Sequence, residues 1–409
     1  MDSSKISVHK KEYISIFICW LTYTFIYFGR YSYSANIGLI EEFYGKSHSQ
    51  AGMVMTFFSV AYGTGQILHG FFVKKYPKKF VVPLAVFIAA VIDFLVFYGV
   101  PFYLVKYLWL VSAFFQAALW PCVLQTISEN VSDTLMQKAI IVMSTTTTGG
   151  VFLVYGTSAL FAKINFKYTF LAGAVILLIV SLLWLLLYEK GDCLNETPNK
   201  KQQDLSRQRA NSLLLILPII LMCIFSIITN FEKDGLQTWV PVILKSLYNM
   251  KDNLSIILTL VLPVFGIFGA AFSIFMSKKI KSTVLLVLFL FLCTAFFNIA
   301  VILFKNNIVI LLGCFGTLEL LLHGLANIIT SVFPLSMRKV FSSGSLAGII
   351  NGSAYAGSAL SSFALGKIAD ISGWNAVFVT LLGTAVAALI IGAIYSLISF
   401  KNPKLKEMD

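Results

Sequence analysis

The chain has 409 residues, of which 58% are hydrophobic and only 12% are charged, and its mean hydropathy is +0.85. A water-soluble protein of this length cannot bury so much apolar surface, so a soluble globular domain is excluded. The net charge of +13 would point to nucleic acid in a soluble protein. In a membrane protein it reports instead which loops face the cytoplasm, so we expect no nucleic-acid partner.

The apolar runs predict an all-α membrane protein with twelve transmembrane helices. Each run has about 18–28 residues, the length that a hydrocarbon core of ~30 Å requires. The first run is too long for a signal peptide and has no small-residue cleavage site, so it is interpreted as the first span. The predicted spans are 13–40, 51–73, 80–102, 104–127, 139–162, 168–188, 211–232, 253–277, 283–304, 307–333, 343–366 and 374–400.

One long polar interval, Glu189–Ala210, separates the first six spans from the last six. We therefore predict an N-terminal six-helix half over 1–188, a cytoplasmic central loop over 189–210 and a C-terminal six-helix half over 211–409. Most lysines and arginines fall in segments that are cytoplasmic if both termini are cytoplasmic, which satisfies the positive-inside rule. The expected location is the cell (plasma or inner) membrane.

Arg30 lies inside the first predicted span. An ionised guanidinium at this depth costs at least about 3 kcal/mol and cannot escape by losing its proton. It must face a polar cavity or an anionic partner, which indicates an anion-binding site. Helical spacing places Tyr23, Tyr27 and Ser34 on the same face. Tyrosine hydroxyls there can donate to an anion, although an aromatic belt at the membrane interface is the alternative.

Further lining residues are predicted from the two-half organisation. If the halves are repeats around a central cavity, Lys233, at the outer end of the seventh predicted span, corresponds to Arg30; the alternative is a lysine that extends to the interface. Tyr62 and Gln66 lie four residues apart in the second span. Thr146 is a weaker candidate, because the run of threonines and glycines around it is also typical of close helix packing.

Three other ionisable residues lie in the apolar runs and are candidates for proton coupling. Asp93 of the third span could pair with a neighbouring helix. Glu319 and His323 are four residues apart in the tenth span and could form a proton relay or a structural hydrogen bond. The six cysteines show neither metal-binding nor disulfide spacing. Without a phosphate-cradling motif or a nucleophile–base pair, we expect no enzyme, no metal and no cofactor.

Several short motifs are similar, in order and spacing, to those of one known family. They are Tyr23-x3-Tyr27-x2-Arg30, SVAYG with Tyr62, FFQAALWPC with Trp120, KDGLQTWVP with Lys233 and Trp239, GIFG at 266–269, GSLAGIINGSAYAGSA with Tyr355, and GKIADISGWNAVF. With these motifs the chain resembles the organophosphate:phosphate antiporter family of the major facilitator superfamily, which includes the glycerol-3-phosphate and hexose-6-phosphate transporters.

The resemblance implies an alternating-access antiporter in which two arginines, one from each half, hold a phosphate. Arg30 matches the first arginine, whereas the second falls on Lys233, which keeps the charge but loses the bidentate fork. A family lysine falls on Gln66, a histidine falls near Thr146 and a carboxylate falls on Pro263. A monoanion, such as a carboxylate, therefore competes with a dianionic phosphate ester as the substrate.

The expected function is secondary active transport of a small organic anion, of which a phosphate ester exchanged for phosphate is one form. The chain would act as a monomer in the lipid bilayer, with phosphate or a proton as the coupled species. A transporter-like membrane sensor of a phosphorylated metabolite and a proton-coupled metabolite or drug exporter are the alternatives. The predicted substrate-binding residues are Arg30, Lys233, Tyr23, Tyr27, Tyr62, Gln66, Tyr355, Thr146, Trp120 and Trp239.

Overall fold

The computed structural model describes residues 3–189, 213–337 and 343–401, and the regular secondary structure within these ranges is helical throughout. Short 3-10 and π turns cover Val73–Lys75 and Ile328–Val332. The α-helices are α1 (Ser3–Phe25), α2 (Phe28–Ala35), α3 (Ile37–Tyr44), α4 (His48–Phe72), α5 (Lys78–Tyr98), α6 (Phe102–Gln116), α7 (Leu119–Asn130), α8 (Asp133–Ser144), α9 (Thr146–Phe161), α10 (Lys167–Leu187), α11 (Leu213–Tyr248), α12 (Asp252–Leu258), α13 (Val261–Lys279), α14 (Thr283–Phe304), α15 (Ile308–Asn327), α16 (Phe333–Ser336) and α17 (Ser343–Lys401).

Helices cover all twelve predicted spans, but the seventh was predicted too short, because α11 continues to Tyr248, sixteen residues beyond the predicted end at 232. Within the described ranges, ten helical stretches are long and apolar enough to cross a membrane. One of them, Leu346–Ser399, covers two predicted spans. Gly373, which has a φ of 74°, interrupts the helical geometry of α17 between these two spans. The less apolar α4 covers the remaining predicted span. The prediction of an all-α membrane protein with twelve spans is therefore confirmed.

The first span is not the continuous helix that was predicted over 13–40. Helix α1 ends at Phe25, α2 begins at Phe28, and Asn36 separates α2 from α3. The Asn36 side chain donates to the Ser32 carbonyl at 2.9 Å and to the Ser158 hydroxyl at 3.0 Å. These bonds fix the end of α2 against α9, and hydropathy carries no information about them.

The described chain divides into two compact units. The first comprises the described residues within Met1–Gly45, Phe57–Thr197 and Lys251–Ile257. In it, α1 and α2 pack against α9 and α10, α1 also packs against α7, and α5 packs along α10. An ion pair of 2.6 Å joins Lys78 on α5 to Glu129 on α7.

The second unit comprises the described residues within Lys46–Thr56, Pro198–Met250 and Leu258–Asp409. In it, α11 packs along α17, α13 along α15, and α14 against both α15 and α17. The first turns of α4 belong to this unit. Residues 190–212, which include all of the predicted central loop except Glu189, lie outside the described ranges, so the predicted division into halves at 189–210 stays a prediction.

The beginning of α4 is capped by Asp370 of α17. The Asp370 carboxylate accepts hydrogen bonds from the backbone amides of His48 and Ser49, both at 2.9 Å. A carboxylate at this position satisfies two amides that lack a helical partner and complements the helix dipole. Farther along, the Thr56 hydroxyl donates to the Ala359 carbonyl at 2.6 Å.

Replacing Asp370 with alanine should therefore destabilise the second unit by about 1 kcal/mol, the usual effect of losing a helix N-cap. The measurement is the thermal unfolding midpoint of the purified protein in detergent, which should fall. Lys367→Ala, at an exposed position three residues earlier, is the matched control and should leave the midpoint unchanged. Equal midpoints for the two variants would show that the cap contributes nothing.

Candidate functional site

Arg30 is buried on α2 with 9% of its surface exposed. Its guanidinium carbon lies 4.3 Å from the ring centroid of Tyr62, 5.1 Å from that of Tyr27 and 5.9 Å from that of Phe58. These distances are typical of cation–π contacts. Tyr27 and Tyr62 are predicted site residues, whereas Phe58 was missed. Its spacing of four residues from Tyr62 on α4 is the signal that could have found it.

More aromatic rings continue from Arg30 toward the start of α1. The rings of Tyr27 and Tyr31 are stacked at 5.5 Å, and Tyr23 lies edge-on to Tyr27 at 6.1 Å. The ring of Trp120 on α7 is 4.7 Å from that of Tyr23. Tyr23 and Tyr27 are buried, whereas Tyr31 and Trp120 are partly exposed. We refer to the following side chains as the Arg30 cluster: Arg30, Tyr23, Tyr27, Tyr31, Phe58, Tyr62 and Trp120.

The neighbouring helix α9 packs directly on this cluster. The Tyr27 hydroxyl donates to the Thr147 hydroxyl at 2.9 Å. A Cβ atom at Gly150 would lie 2.7 Å from the Tyr27 ring, so only glycine allows this approach. Thr146 is buried, and its hydroxyl donates to the carbonyl of Met143 at 2.6 Å. This bond within the helix agrees with the alternative interpretation of Thr146, a residue of close helix packing.

The predicted residue Gln66 is half-buried on α4, one turn beyond Tyr62. Its amide group can reach the same side of α4 as the Tyr62 ring, because residues four apart share a helix face.

The second unit contains a separate group of ionisable side chains. Lys233 is half-buried on α11, and its ammonium nitrogen lies 3.6 Å from a carboxylate oxygen of Asp234. Asp234 also accepts a hydrogen bond from Ser358 on α17. On α15, a carboxylate oxygen of the buried Glu319 lies 3.3 Å from Nδ1 of His323.

Helix α11, which carries Lys233 and Asp234, packs against α15, which carries Glu319 and His323. Helices α11 and α15 thus bring together three residues predicted from the sequence, Lys233, Glu319 and His323, together with Asp234. We call these four residues the Lys233 cluster. Ser358 was missed, because a serine in a small-residue helix carries no distinguishing sequence signal.

Two glycines of α13 make room for His323. A Cβ atom at Gly266 would lie 3.1 Å from the His323 ring, and one at Gly269 would lie 2.6 Å from the His323 Cβ. Helix α13 therefore lies close against α15, with the imidazole beside its glycine face. Larger residues at these positions would displace the ring from Glu319.

Glu232 precedes Lys233 in the sequence but makes its contacts elsewhere. Its side chain is completely buried. One carboxylate oxygen accepts from the Asn298 amide at 3.1 Å and the other from the Thr384 hydroxyl at 2.9 Å. Glu232 thus joins α11 to α14 and α17, and only Asp234 of the two acidic neighbours is close to the Lys233 ammonium. Neither donor, Asn298 or Thr384, was predicted from the sequence.

Asp93 lies in the first unit on α5 and is fully buried. A Cβ atom at Gly173 of α10 would lie 2.6 Å from one of its carboxyl oxygens. Within the described ranges neither carboxyl oxygen has a hydrogen-bond partner, so the pairing with a neighbouring helix that the sequence suggested is not seen there. A role for Asp93 in proton coupling stays a prediction.

The two remaining predicted residues are in the second unit. Trp239 is completely buried, and its ring lies 5.7 Å from that of His48 and 5.8 Å from that of Trp374. A Cβ atom at Gly366 would lie 2.8 Å from the Trp239 ring, so the indole fills a close helix contact. Tyr355 is half-buried on α17, three residues before Ser358.

Among the residues that the structure describes, no group of three or more His, Cys, Asp or Glu side chains could hold a metal ion. The five cysteines in the same part of the chain form no disulfide, and Cys193 lies outside it.

The sequence matches the family model of the Major Facilitator Superfamily over residues 19–361. No curated protein matches the chain. The fold is similar to that of a bacterial homologue of the human lysosomal transporter Spinster in an inward-facing and occupied conformation (TM-score 0.76, 15% identity, 95% of this chain and 97% of that chain covered). It is also similar to the nucleoside transporter NupG (0.69, 11%, 94% and 98%) and to the D-xylose–proton symporter (0.68, 13%, 93% and 97%). At these identities the likeness is one of fold.

Proposed function

Because this chain belongs to the Major Facilitator Superfamily, we propose that it is a secondary active transporter that moves a small organic anion by alternating access. The family match makes it a multi-pass membrane transporter and not an enzyme. The chemical class of the solute is inferred from the residues of this chain.

The observation that carries the proposal is the placement of Arg30. Its guanidinium is buried on a membrane helix and surrounded by aromatic rings. A permanently charged group in such surroundings is expensive to maintain, and groups of this kind usually serve a bound ion or substrate. The positive charge selects an anion, and the planar fork of N–H groups suits a carboxylate or a phosphoryl group.

Lys233 is the second cation of the proposed mechanism. It occupies the seventh span, which corresponds to the Arg30 span if the two halves are repeats. In the described structure its ammonium lies near Asp234. A bound anion would compete with Asp234 for that ammonium, so arrival of the substrate would change the charge balance of the Lys233 cluster. A phosphate ester exchanged for phosphate is compatible with this scheme, as is a carboxylate.

Proteoliposomes test the proposal directly. Vesicles loaded with unlabelled anion should take up labelled organic anion in a saturable manner, with phosphate and carboxylates compared as internal solutes. Lys233→Ala should raise the substrate concentration that gives half-maximal uptake by about tenfold, the usual effect of losing one charge-assisted contact. Lys233→Arg should restore the wild-type concentration. Ligand-induced thermal stabilisation without any flux would reject transport and favour a membrane sensor.

The contact between Glu319 and His323 supports a second candidate, a proton-coupled exporter. A buried carboxyl 3.3 Å from an imidazole can pass a proton between two sites. The discriminating result is efflux that stops when an uncoupler collapses the proton gradient and that survives Lys233→Ala. Anion exchange that persists with the uncoupler would exclude this candidate.

A further inference from the structure

We propose that Asp93 is a proton-binding site whose occupancy is tied to the packing of α5 against α10 and α2. All three helices belong to the first unit. The proposal adds the proton as a second bound species, and only the use of that proton in transport rests on the proposed function.

The first argument is the burial of the Asp93 carboxyl without a partner. The residue lies well inside the third predicted span, and none of its surface is exposed. Within the described ranges neither of its carboxyl oxygens has a hydrogen-bond partner. A carboxylate that is removed from water without a hydrogen-bond donor is so unfavourable that such a group takes up a proton instead. The Asp93 carboxyl is therefore neutral in this conformation and holds one proton.

The second argument is how closely the carboxyl is enclosed. A Cβ atom at Gly173 of α10 would lie 2.6 Å from a carboxyl oxygen of Asp93 and 3.3 Å from the Cβ of Phe28 on α2. One turn earlier on the same face of α5, Ala89 lies 3.0 Å from where a Cβ atom at Gly29 of α2 would be. The carboxyl thus sits where α2, α5 and α10 meet, and water reaches it only when this packing loosens.

The third argument concerns the other titratable groups around α5, which packs against α10, α6, α7 and α2. The titratable side chains of these helices, α5 included, are Arg30, Tyr31, Tyr33, Lys78, Lys79, Tyr98, Tyr103, Lys106, Tyr107, Cys122, Glu129, Lys167 and Tyr168. None of them hydrogen-bonds to Asp93 in the described structure. Lys78 pairs with Glu129 at 2.6 Å, and the Lys167 ammonium lies 4.2 Å from the ring centroid of Phe43. A proton is therefore the positive species that neutralises Asp93 here.

Proton binding at Asp93 and the conformation of the first unit are coupled for this reason. An ionised Asp93 needs water or hydrogen-bond donors, so its ionisation favours a looser packing of the three helices. A ligand that binds two conformations unequally shifts the population toward the one it binds better, and the effect is reciprocal. Helix α2 carries Arg30 two residues after Phe28, so a movement of α2 away from α5 also moves the Arg30 cluster.

Infrared difference spectroscopy of the purified full chain tests the protonation. At neutral pH the carbonyl stretch of a neutral carboxyl should be present in the wild type and lost in Asp93→Asn. Asp252→Asn makes the same chemical change at a half-buried position of the same unit, and it should leave that signal unchanged. Identical carboxyl signals in the wild type and Asp93→Asn would show that Asp93 is ionised and would overturn the proposal.

Amide hydrogen exchange tests the coupling to helix packing. At alkaline pH, peptides from α2, α5 and α10 should exchange faster in the wild type than in Asp93→Asn, because only the wild-type side chain can ionise. At neutral pH the two proteins should agree. Equal exchange at every pH would refute the link between proton and packing. If Asp93→Asn does not fold, Asp93→Ala, which is smaller and also cannot ionise, replaces it in both experiments.

Transport supplies the third readout, with labelled gluconate and labelled glycerol 3-phosphate as probes in proteoliposomes held at zero membrane potential. If one proton accompanies each anion, an inward gradient of about one pH unit should raise accumulation about tenfold. Asp93→Asn should retain exchange in the absence of a gradient but lose this accumulation. Wild-type uptake that ignores the gradient, or a variant that still follows it, would overturn the role of Asp93 and leave the transporter proposal standing.

The reverse outcome is also distinguishable. Absence of flux of either probe in the wild type would count against the proposed function alone. The infrared and hydrogen-exchange results need no substrate, so they would still decide whether Asp93 binds a proton that is tied to the packing of α2, α5 and α10.

Discussion

Arg30→Ala is expected to reduce organic-anion transport in proteoliposomes by at least about 100-fold. The substitution removes the one positive charge of the Arg30 cluster, and losing a buried charged partner of a bound ion typically costs about 3–5 kcal/mol. It also removes the cation–π contacts with Tyr62 and Tyr27. The measurement is the initial rate of uptake, with the amount of correctly folded protein in the vesicles used for normalisation.

Two variants control this experiment. Arg30→Lys keeps the charge but loses the planar fork, so an intermediate rate is expected. Lys106→Ala removes another cation of the same unit that lies near aromatic rings, 5.5 Å from the Phe57 centroid and 5.1 Å from that of Tyr107, and it should transport normally. A wild-type rate in Arg30→Ala would reject the assignment of Arg30 to the substrate site.

Gly357→Ala is expected to destabilise the second unit by about 3 kcal/mol or more. Helices α11 and α17 approach so closely at this point that an added Cβ would lie 2.1 Å from the Ile227 carbonyl oxygen. Backbone atoms cannot move aside as a flexible side chain can, so the helices would have to separate. The neighbouring bond from the Ser226 hydroxyl to the Ile350 carbonyl, at 3.0 Å, would be strained by that movement.

The same helix supplies the control. A Cβ added at Gly348 of α17 would meet no neighbouring atom of the described chain within 4 Å. Gly348→Ala should therefore be neutral or slightly stabilising, because alanine favours the helix. The readouts are the thermal unfolding midpoint and the monodisperse fraction in detergent. If the two alanine variants are equally stable, the close approach of α11 and α17 at Gly357 is not required.

Hydropathy predicts where the helices of this chain lie, because each span must satisfy its own backbone within an apolar layer. It does not predict where a span breaks. The separation of α2 from α3 depends on bonds from Asn36 to Ser32 and Ser158, and Ser158 lies more than a hundred residues away in the sequence. The break in α17 was predictable in position, since Gly373 falls between two apolar runs.

The candidate site was predictable only where charge marks it. A single guanidinium in an apolar run is conspicuous, and its helical period leads to Tyr27. The contact of Arg30 with Tyr62 comes from the packing of α4, and sequence spacing does not contain it. Similarly, the sequence shows that Glu232 and Asp234 flank Lys233, but the different partners of the two carboxylates follow from the directions of their side chains.

The run of three consecutive charged residues on α11 has a consequence for biogenesis. Glu232, Lys233 and Asp234 each add about 3 kcal/mol to the free energy of moving an isolated helix from the translocon into lipid. The side chains that hydrogen-bond to the two acids are encoded 66 to 152 residues farther on. Alone in lipid, this helix holds two acidic side chains without their hydrogen-bond donors. The second unit stabilises them only once α14 and α17, which carry those donors, have been synthesised.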